Sequence, residues 1–99
     1  MTVELSARSI PRKSDRIAAR AVDGKAIVVV LDARKLHTLN GVGTRVFDLC
    51  DGTRDVAAIA AEIAKDFEVE ASHAERDAIA FITQLIAEGA VVVEGGGAR

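Results

Sequence analysis

Apolar and polar positions divide the chain into a strand-like half and a helix-like half. The run Ile17-Ala18-Ala19-Arg20-Ala21-Val22 is followed by Asp23-Gly24 and then by Lys25-Ala26-Ile27-Val28-Val29-Val30-Leu31. Asp-Gly between two apolar runs predicts a hairpin, because a type I′ turn needs positive φ at both central residues. The second run is continuous and β-branched, which suits a strand at the centre of a small sheet or covered on both faces. After the polar break Asp32-Ala33-Arg34-Lys35, the alternation Leu36-His37-Thr38-Leu39 predicts a short third strand. It puts Leu36 and Thr38 on one face and His37 and Leu39 on the other. This strand completes an antiparallel meander and should form one of its two edges.

Helical spacing then takes over. Asn40 offers an N-cap, Gly41 and Gly43 loosen the first turn, and Val42, Val46, Leu49 and Cys50 share one face. Gly52 is expected to end this helix as a C′ residue, and Thr53 to cap the next, with Asp55 in its first turn. Val56, Ile59, Ala60, Ile63 and Phe67 form its amphipathic stripe. Ser72-His73-Ala74-Glu75 reads as a capping box for a third helix, which ends at Gly89. Ala90-Val91-Val92-Val93 predicts a short closing strand. The expected fold is α+β and winged-helix-like: a three-stranded antiparallel sheet, three helices and a short terminal strand. Residues 1–15, where Pro11, Arg12 and Lys13 break any period, are expected to be a flexible arm. Residues 16–93 form the domain, and the Gly-rich 94–99 a disordered tail.

Composition narrows the function class. Ninety-nine residues make one core, 49% of them hydrophobic, with three Phe and no Trp or Tyr. A net charge of −2 speaks against a nucleic-acid footprint. Residues 72–89 carry one Arg against Glu75, Asp77 and Glu88, the wrong sign for a recognition helix. A winged-helix nucleic-acid-binding or regulatory domain is the alternative reading, and a homodimeric docking module another. One cysteine, Cys50, makes no internal disulfide and suits a reducing compartment; on its helical stripe it reads as a small core residue. No signal peptide is visible, and the apolar run 26–31 is far short of the roughly 20 residues of a membrane span. The expected location is the cytoplasm, with no membrane contact.

No catalytic constellation emerges, and neither a cofactor nor a metal is expected. Asn40-Gly41-Val42-Gly43-Thr44 lacks the lysine and spacing of a phosphate loop. His37 and His73 have no Cys or carboxylate at ligand spacing, and Asp48 with Asp51 reads as solvated charge. The third helix is more informative. Ala78, Ile79, Phe81, Ile82, Leu85 and Ile86 span an arc of about 160° at 100° per residue. The excess lies at Ile79 and Ile86 and continues through Thr83. Either a second protein layer covers that edge, or it is one wall of a groove. Beside it, the open third strand presents unpaired backbone groups guarded only by Arg34, Lys35 and His37, which also suit an acidic peptide. An apolar helix face next to an open strand is the arrangement of β-strand addition.

The stretch Leu39-Asn40-Gly41 … Val46-Phe47-Asp48-Leu49-Cys50-Asp51-Gly52-Thr53-Arg54-Asp55-Val56 resembles the Leu-Asn and Asp-Gly-Thr signature of PqqD-like proteins. Ile59, Ile63, Phe67-Glu68-Val69, Asp77, Phe81, Leu85 and Gly89-Ala90-Val91 continue the likeness, which runs from about Ile17 to Val92. The resemblance is to the broad family. It implies a recognition element for ribosomally made precursor peptides: a non-catalytic peptide chaperone that binds a leader peptide and presents it to a modifying enzyme, often a radical-SAM protein. In such proteins the leader adds to the third strand and lies against the third helix. Carried onto this chain, that gives Arg34, Lys35, Leu36, His37, Thr38 and Leu39 from the strand, and Ile79, Thr83 and Ile86 from the helix.

Overall fold

The computed structural model describes residues 5–94. Five strands and three helices follow in the order β1 (Ile10–Lys13), β2 (Ile17–Val22), β3 (Lys25–Val30), β4 (Lys35–Thr38), α1 (Gly41–Leu49), α2 (Val56–Phe67), α3 (Ala71–Ala87) and β5 (Val91–Glu94). β2, β3 and β4 form the expected antiparallel meander with β3 at its centre, and β1 pairs antiparallel with β5 in a separate two-stranded sheet. Asp23 and Gly24 both have positive φ, 53° and 77°, as the hairpin turn requires. One face of the meander, Ala26, Val28 and Val30, is buried against the helices. The core continues through Val46, Phe47 and Leu49 of α1, Val56, Ile59 and Ile63 of α2, and Ala78, Ile82 and Leu85 of α3.

The helix ends depart from expectation in three places. α1 caps at Asn40, whose side chain accepts the Gly43 N–H at 2.7 Å, but it closes at Cys50 rather than at Gly52. α2 is capped by Asp55, which accepts the Ala58 N–H at 2.8 Å; Thr53 instead donates its hydroxyl to Asp51. Asp55 reaches the N3 amide from a position where Thr53 stands too far upstream. α3 starts two residues earlier than a Ser72 cap implies: Glu70 is its N-cap, without a side-chain hydrogen bond. The end of α3 is as read, with Gly89 at φ 83° and the Gly89 and Ala90 amides bonded to the carbonyls of Ile86 and Leu85. Phe67, at the end of the α2 stripe, is 40% exposed.

The segment expected to be a flexible arm carries structure from Leu5 onward. Ser9 and Ala7 carbonyls accept the Val56 and Ala57 amides, so the chain just before β1 satisfies two of the orphan N–H groups that open α2. Ser9 is fully buried, and its hydroxyl accepts the Ser6 amide at 3.0 Å. β1 follows, its Pro11 carbonyl taking the Gly52 amide at 3.0 Å. The expected tail gives Glu94 to β5; residues 95–99 lie outside the described residues.

Candidate functional site

β4 is an edge strand, and its register decides which of its backbone groups are available. Antiparallel pairs alternate between residues that exchange two hydrogen bonds and residues that exchange none. The Leu39 amide donates to the Ala26 carbonyl at 2.9 Å, so in this register His37 opposite Val28 and Lys35 opposite Val30 also turn their backbones toward β3. Leu36 and Thr38 therefore point N–H and C=O outward, away from the sheet. Side chains alternate in the opposite sense: His37 and Leu39 share the buried face of Val28 and Ala26, whereas Leu36 and Thr38 share the outer face of Val29 and Ile27.

Beside this edge lies a cleft of about 400 Å³ between β4 and α3. The strand and the α1 cap supply Leu36, His37, Thr38, Leu39 and Asn40; the helix supplies Phe81, Gln84, Leu85 and Glu88. Leu39 and Leu85 are buried and Phe81 is half-buried, giving an apolar floor. The rim is polar. His37 Nδ1 stands 3.4 Å from Glu88 Oε1, and Gln84 Nε2 donates to Glu88 Oε2 at 3.2 Å. Nε2 of His37 is buried and has no hydrogen-bond partner among the described residues. A buried polar atom left unsatisfied is uncommon and calls for a reason.

α1 sets the position of the Phe81 ring. Gly43 is buried at the first turn, and a Cβ there would stand 2.8 Å from Phe81 Cε1. Thr44 ties the same turn to the sheet, its hydroxyl accepting the Ala26 amide at 2.9 Å. Glycine at position 43 thus lets α3 bring an aromatic ring against α1, at the end of the cleft next to Asn40.

Of the residues singled out from sequence, Leu36, His37, Thr38 and Leu39 line the cleft. Arg34 lies in the turn before β4 and Lys35 begins the strand; both are exposed and neither lines it. Ile79, Thr83 and Ile86 are not brought to it either. At 100° per residue, Gln84, Leu85 and Glu88 lie within about 60° of Phe81 on the α3 wheel, whereas Ile79, Thr83 and Ile86 lie roughly 140–160° away. Ile79 lines instead a shallow hollow with Ser72, Glu75 and Arg76. The missed wall, Phe81, Gln84, Leu85 and Glu88, has i, i+3, i+4, i+7 spacing. Its signal was the mixture of polar and apolar residues within one helical stripe.

Among the described residues no group of three or more His, Cys, Asp or Glu side chains is placed to hold a metal ion, and no helix is long and apolar enough to cross a membrane. Cys50 is fully buried, and its burial pushes the thiol up to about 12. Such a group is not a nucleophile at neutral pH.

Comparison with solved structures finds the same fold in three proteins. TbiB1, solved in complex with the TbiA(beta) leader peptide, matches with a TM-score of 0.75 at 23% identity, over 85% of this chain and 95% of that one. Lasso peptide synthetase B1, complexed with its leader peptide, matches with a TM-score of 0.74 at 25% identity, over 84% and 98%. The PqqD part of Methylobacterium extorquens PqqCD, described as a stand-alone recognition element for ribosomally synthesised and modified peptides, matches with a TM-score of 0.75 at 17% identity, over 91% and 96%. A search of curated proteins gives no significant match. The family model of coenzyme PQQ synthesis protein D matches residues 28–91, from the central strand to the start of β5. With that match covering most of its length, the chain belongs to the PqqD family.

Proposed function

We propose that this chain captures the leader segment of a ribosomally made precursor peptide as an added strand beside β4, and presents it to a modifying enzyme such as a radical-SAM protein. The observation that carries the reading is the open edge itself. The outward N–H and C=O groups of Leu36 and Thr38 form a ready hydrogen-bonding ladder, directly against a half-apolar cleft. An added strand would lie about 4.8 Å from β4, with every second side chain directed into the cleft. Leu39, Phe81 and Leu85 offer it an apolar seat, and His37, Gln84 and Glu88 offer hydrogen bonds. Main-chain bonds supply affinity and the cleft supplies selectivity. The leader peptides bound by TbiB1 and lasso peptide synthetase B1 support this reading.

Titration of the labelled chain with leader peptides from precursors encoded beside its gene, followed by NMR shift mapping, tests it. Shifts should concentrate on residues 35–39 and on Phe81, Gln84, Leu85 and Glu88. A folded chain that shows no shifts with any such peptide would count against capture.

A further inference from the structure

The face of the meander turned away from the helices is apolar as well. Register places Ala18, Val29 and Leu36 in one row across the three strands, and Arg20, Ile27 and Thr38 in the next. Ala18 is small, and the hollow it leaves, about 380 Å³, is lined by Ala18, Ala19, Arg20, Ile27, Val29 and Leu36. Leu36 is 63% exposed, Leu31 just after β3 is 51% exposed and Val22 is 46% exposed. An alternating strand normally spends such outward positions on polar residues, and clustered apolar exposure marks an interaction site.

The charges around this face identify its partner. From Arg16 to Thr38 the sequence has five basic and two acidic residues, a net of +3; from Gly41 to Glu94 it has four basic and eleven acidic, a net of −7. Arg16 is engaged by Asp32 at 2.7 Å, which leaves Arg20 and Lys25 on this face, and Arg34 in the turn before β4, without an ion-pair partner among the described residues; Lys35 pairs with Val30 and so belongs to the opposite face. The sheet is thus an apolar hollow with a basic rim on an otherwise acidic molecule. Apolar contact favours a protein over a nucleic acid, and the rim calls for carboxylates opposite it.

We propose that this outer face docks the modifying enzyme, through an apolar patch on that enzyme rimmed by Asp and Glu. The inference rests on the leader-capture reading for the identity of the partner. Geometry links the two sites. A strand added at β4 turns its alternate side chains onto the same outer face as Leu36 and Thr38. Captured leader and docking face then form one continuous surface, so that the enzyme meets leader and chain together.

The test titrates the full chain with the purified modifying enzyme encoded beside its gene, and separately with the neighbouring leader peptide. Ala18→Glu and Arg20→Glu both lie on β2, two strands away from the β4 edge; Lys25→Glu, at the exposed hairpin, replaces either one that fails to fold. The expected result is at least tenfold weaker enzyme binding with leader affinity within twofold of wild type. Enzyme binding unchanged in these variants would overturn the docking face. So would a wild-type dimer in light scattering that Ala18→Glu dissociates, or a short single-stranded RNA whose binding Arg20→Glu abolishes while enzyme binding persists. Should the leader fail to bind while enzyme affinity still depends on Ala18 and Arg20, the capture reading falls and the docking face stands.

Discussion

His37 Nδ1 on β4 lies 3.4 Å from Glu88 Oε1 on α3, and this contact bridges the cleft from strand to helix. The other ring nitrogen is buried and unpartnered. An unsatisfied buried donor or acceptor costs about 1–3 kcal/mol, whereas an apolar side chain of similar size in its place carries no such cost. His37→Leu should therefore raise stability by about 1 kcal/mol, visible as a rise of several degrees in Tm. If a captured peptide supplies the missing hydrogen bond, the same change weakens leader binding about tenfold. Calorimetric titration beside thermal unfolding reads both effects, and a variant that gains neither stability nor loses affinity would sink the assignment.

Proline placed along β4 should act by parity. Leu36 and Thr38 direct their amides outward, so Leu36→Pro and Thr38→Pro remove donors that the sheet does not use. His37→Pro and Leu39→Pro remove donors bonded to β3 and also disturb the core face. The outward pair should retain a cooperative unfolding transition and lose leader binding by tenfold or more. The inward pair should lose about 3 kcal/mol of stability or fail to fold. Binding that survives both Leu36→Pro and Thr38→Pro would show that strand addition does not occur on this edge.

Residues 5–13 should prove structural. Their carbonyls at Ala7 and Ser9 accept the first two amides of α2, and β1 holds β5 along four residue pairs. A chain lacking the first 13 residues loses both sets of bonds and exposes Val91, which is 1% accessible. Its stability should fall by several kcal/mol, of the order of the whole stability of a domain this small. Urea unfolding of the truncated chain decides it: an unchanged midpoint would return this segment to the role of an arm.

Local signals carried most of the fold. Asp23-Gly24, the β-branched run after it and the Gly89 stop each specify conformation within a few residues, and each appears where the pattern puts it. β1 was illegible because its partner residues lie 78 to 84 positions further along the chain. Pro11, Arg12 and Lys13 have no period, and only pairing with Val91–Glu94 makes them a strand. The site divided in the same way. Leu36 to Leu39 follow from alternation, but which face of α3 meets them depends on how the helix rolls against α1 and α2. Apolar excess pointed to Ile79 and Ile86, while the cleft wall is the half-polar stripe from Phe81 to Glu88. A groove that must bind backbone and side chains alike cannot be wholly apolar, and so it hides from a search for apolar surplus.

Gly43 and Phe81 should behave as a coupled pair. A Cβ at position 43 would meet the ring at 2.8 Å and the Asn40 side chain at 3.2 Å. Alanine normally gains roughly 0.5–1 kcal/mol over glycine within a helix, and overpacking costs about 1–3 kcal/mol. Gly43→Ala should therefore destabilise the wild-type chain by about 1 kcal/mol, yet stabilise a Phe81→Leu background. A double-mutant cycle should show coupling above ~1 kcal/mol; additive effects would mean that the ring moves aside without cost.

The buried Cys50 thiol sets an alkaline limit. Burial raises its pKa from the ordinary 9.0 to about 12, against the opposing effect of the nearby Lys13 cation. Because the folded pKa is the higher one, the unfolded chain releases this proton first. The stabilising contribution is complete below about pH 9 and is lost as pH rises toward 12, at about 1.4 kcal/mol per pH unit. Between pH 8 and 10.5 the wild-type chain should lose about 2 kcal/mol more than a Cys50→Ala variant, whose own neutral-pH loss is a constant offset. Urea midpoints for both chains across that range measure the difference. At pH 8 the same burial leaves about one thiol in ten thousand ionised, so a disulfide reagent should label Cys50 only as fast as the domain opens. Parallel alkaline slopes, or rapid labelling of the folded chain, would place the sulfur in contact with water and contradict its burial.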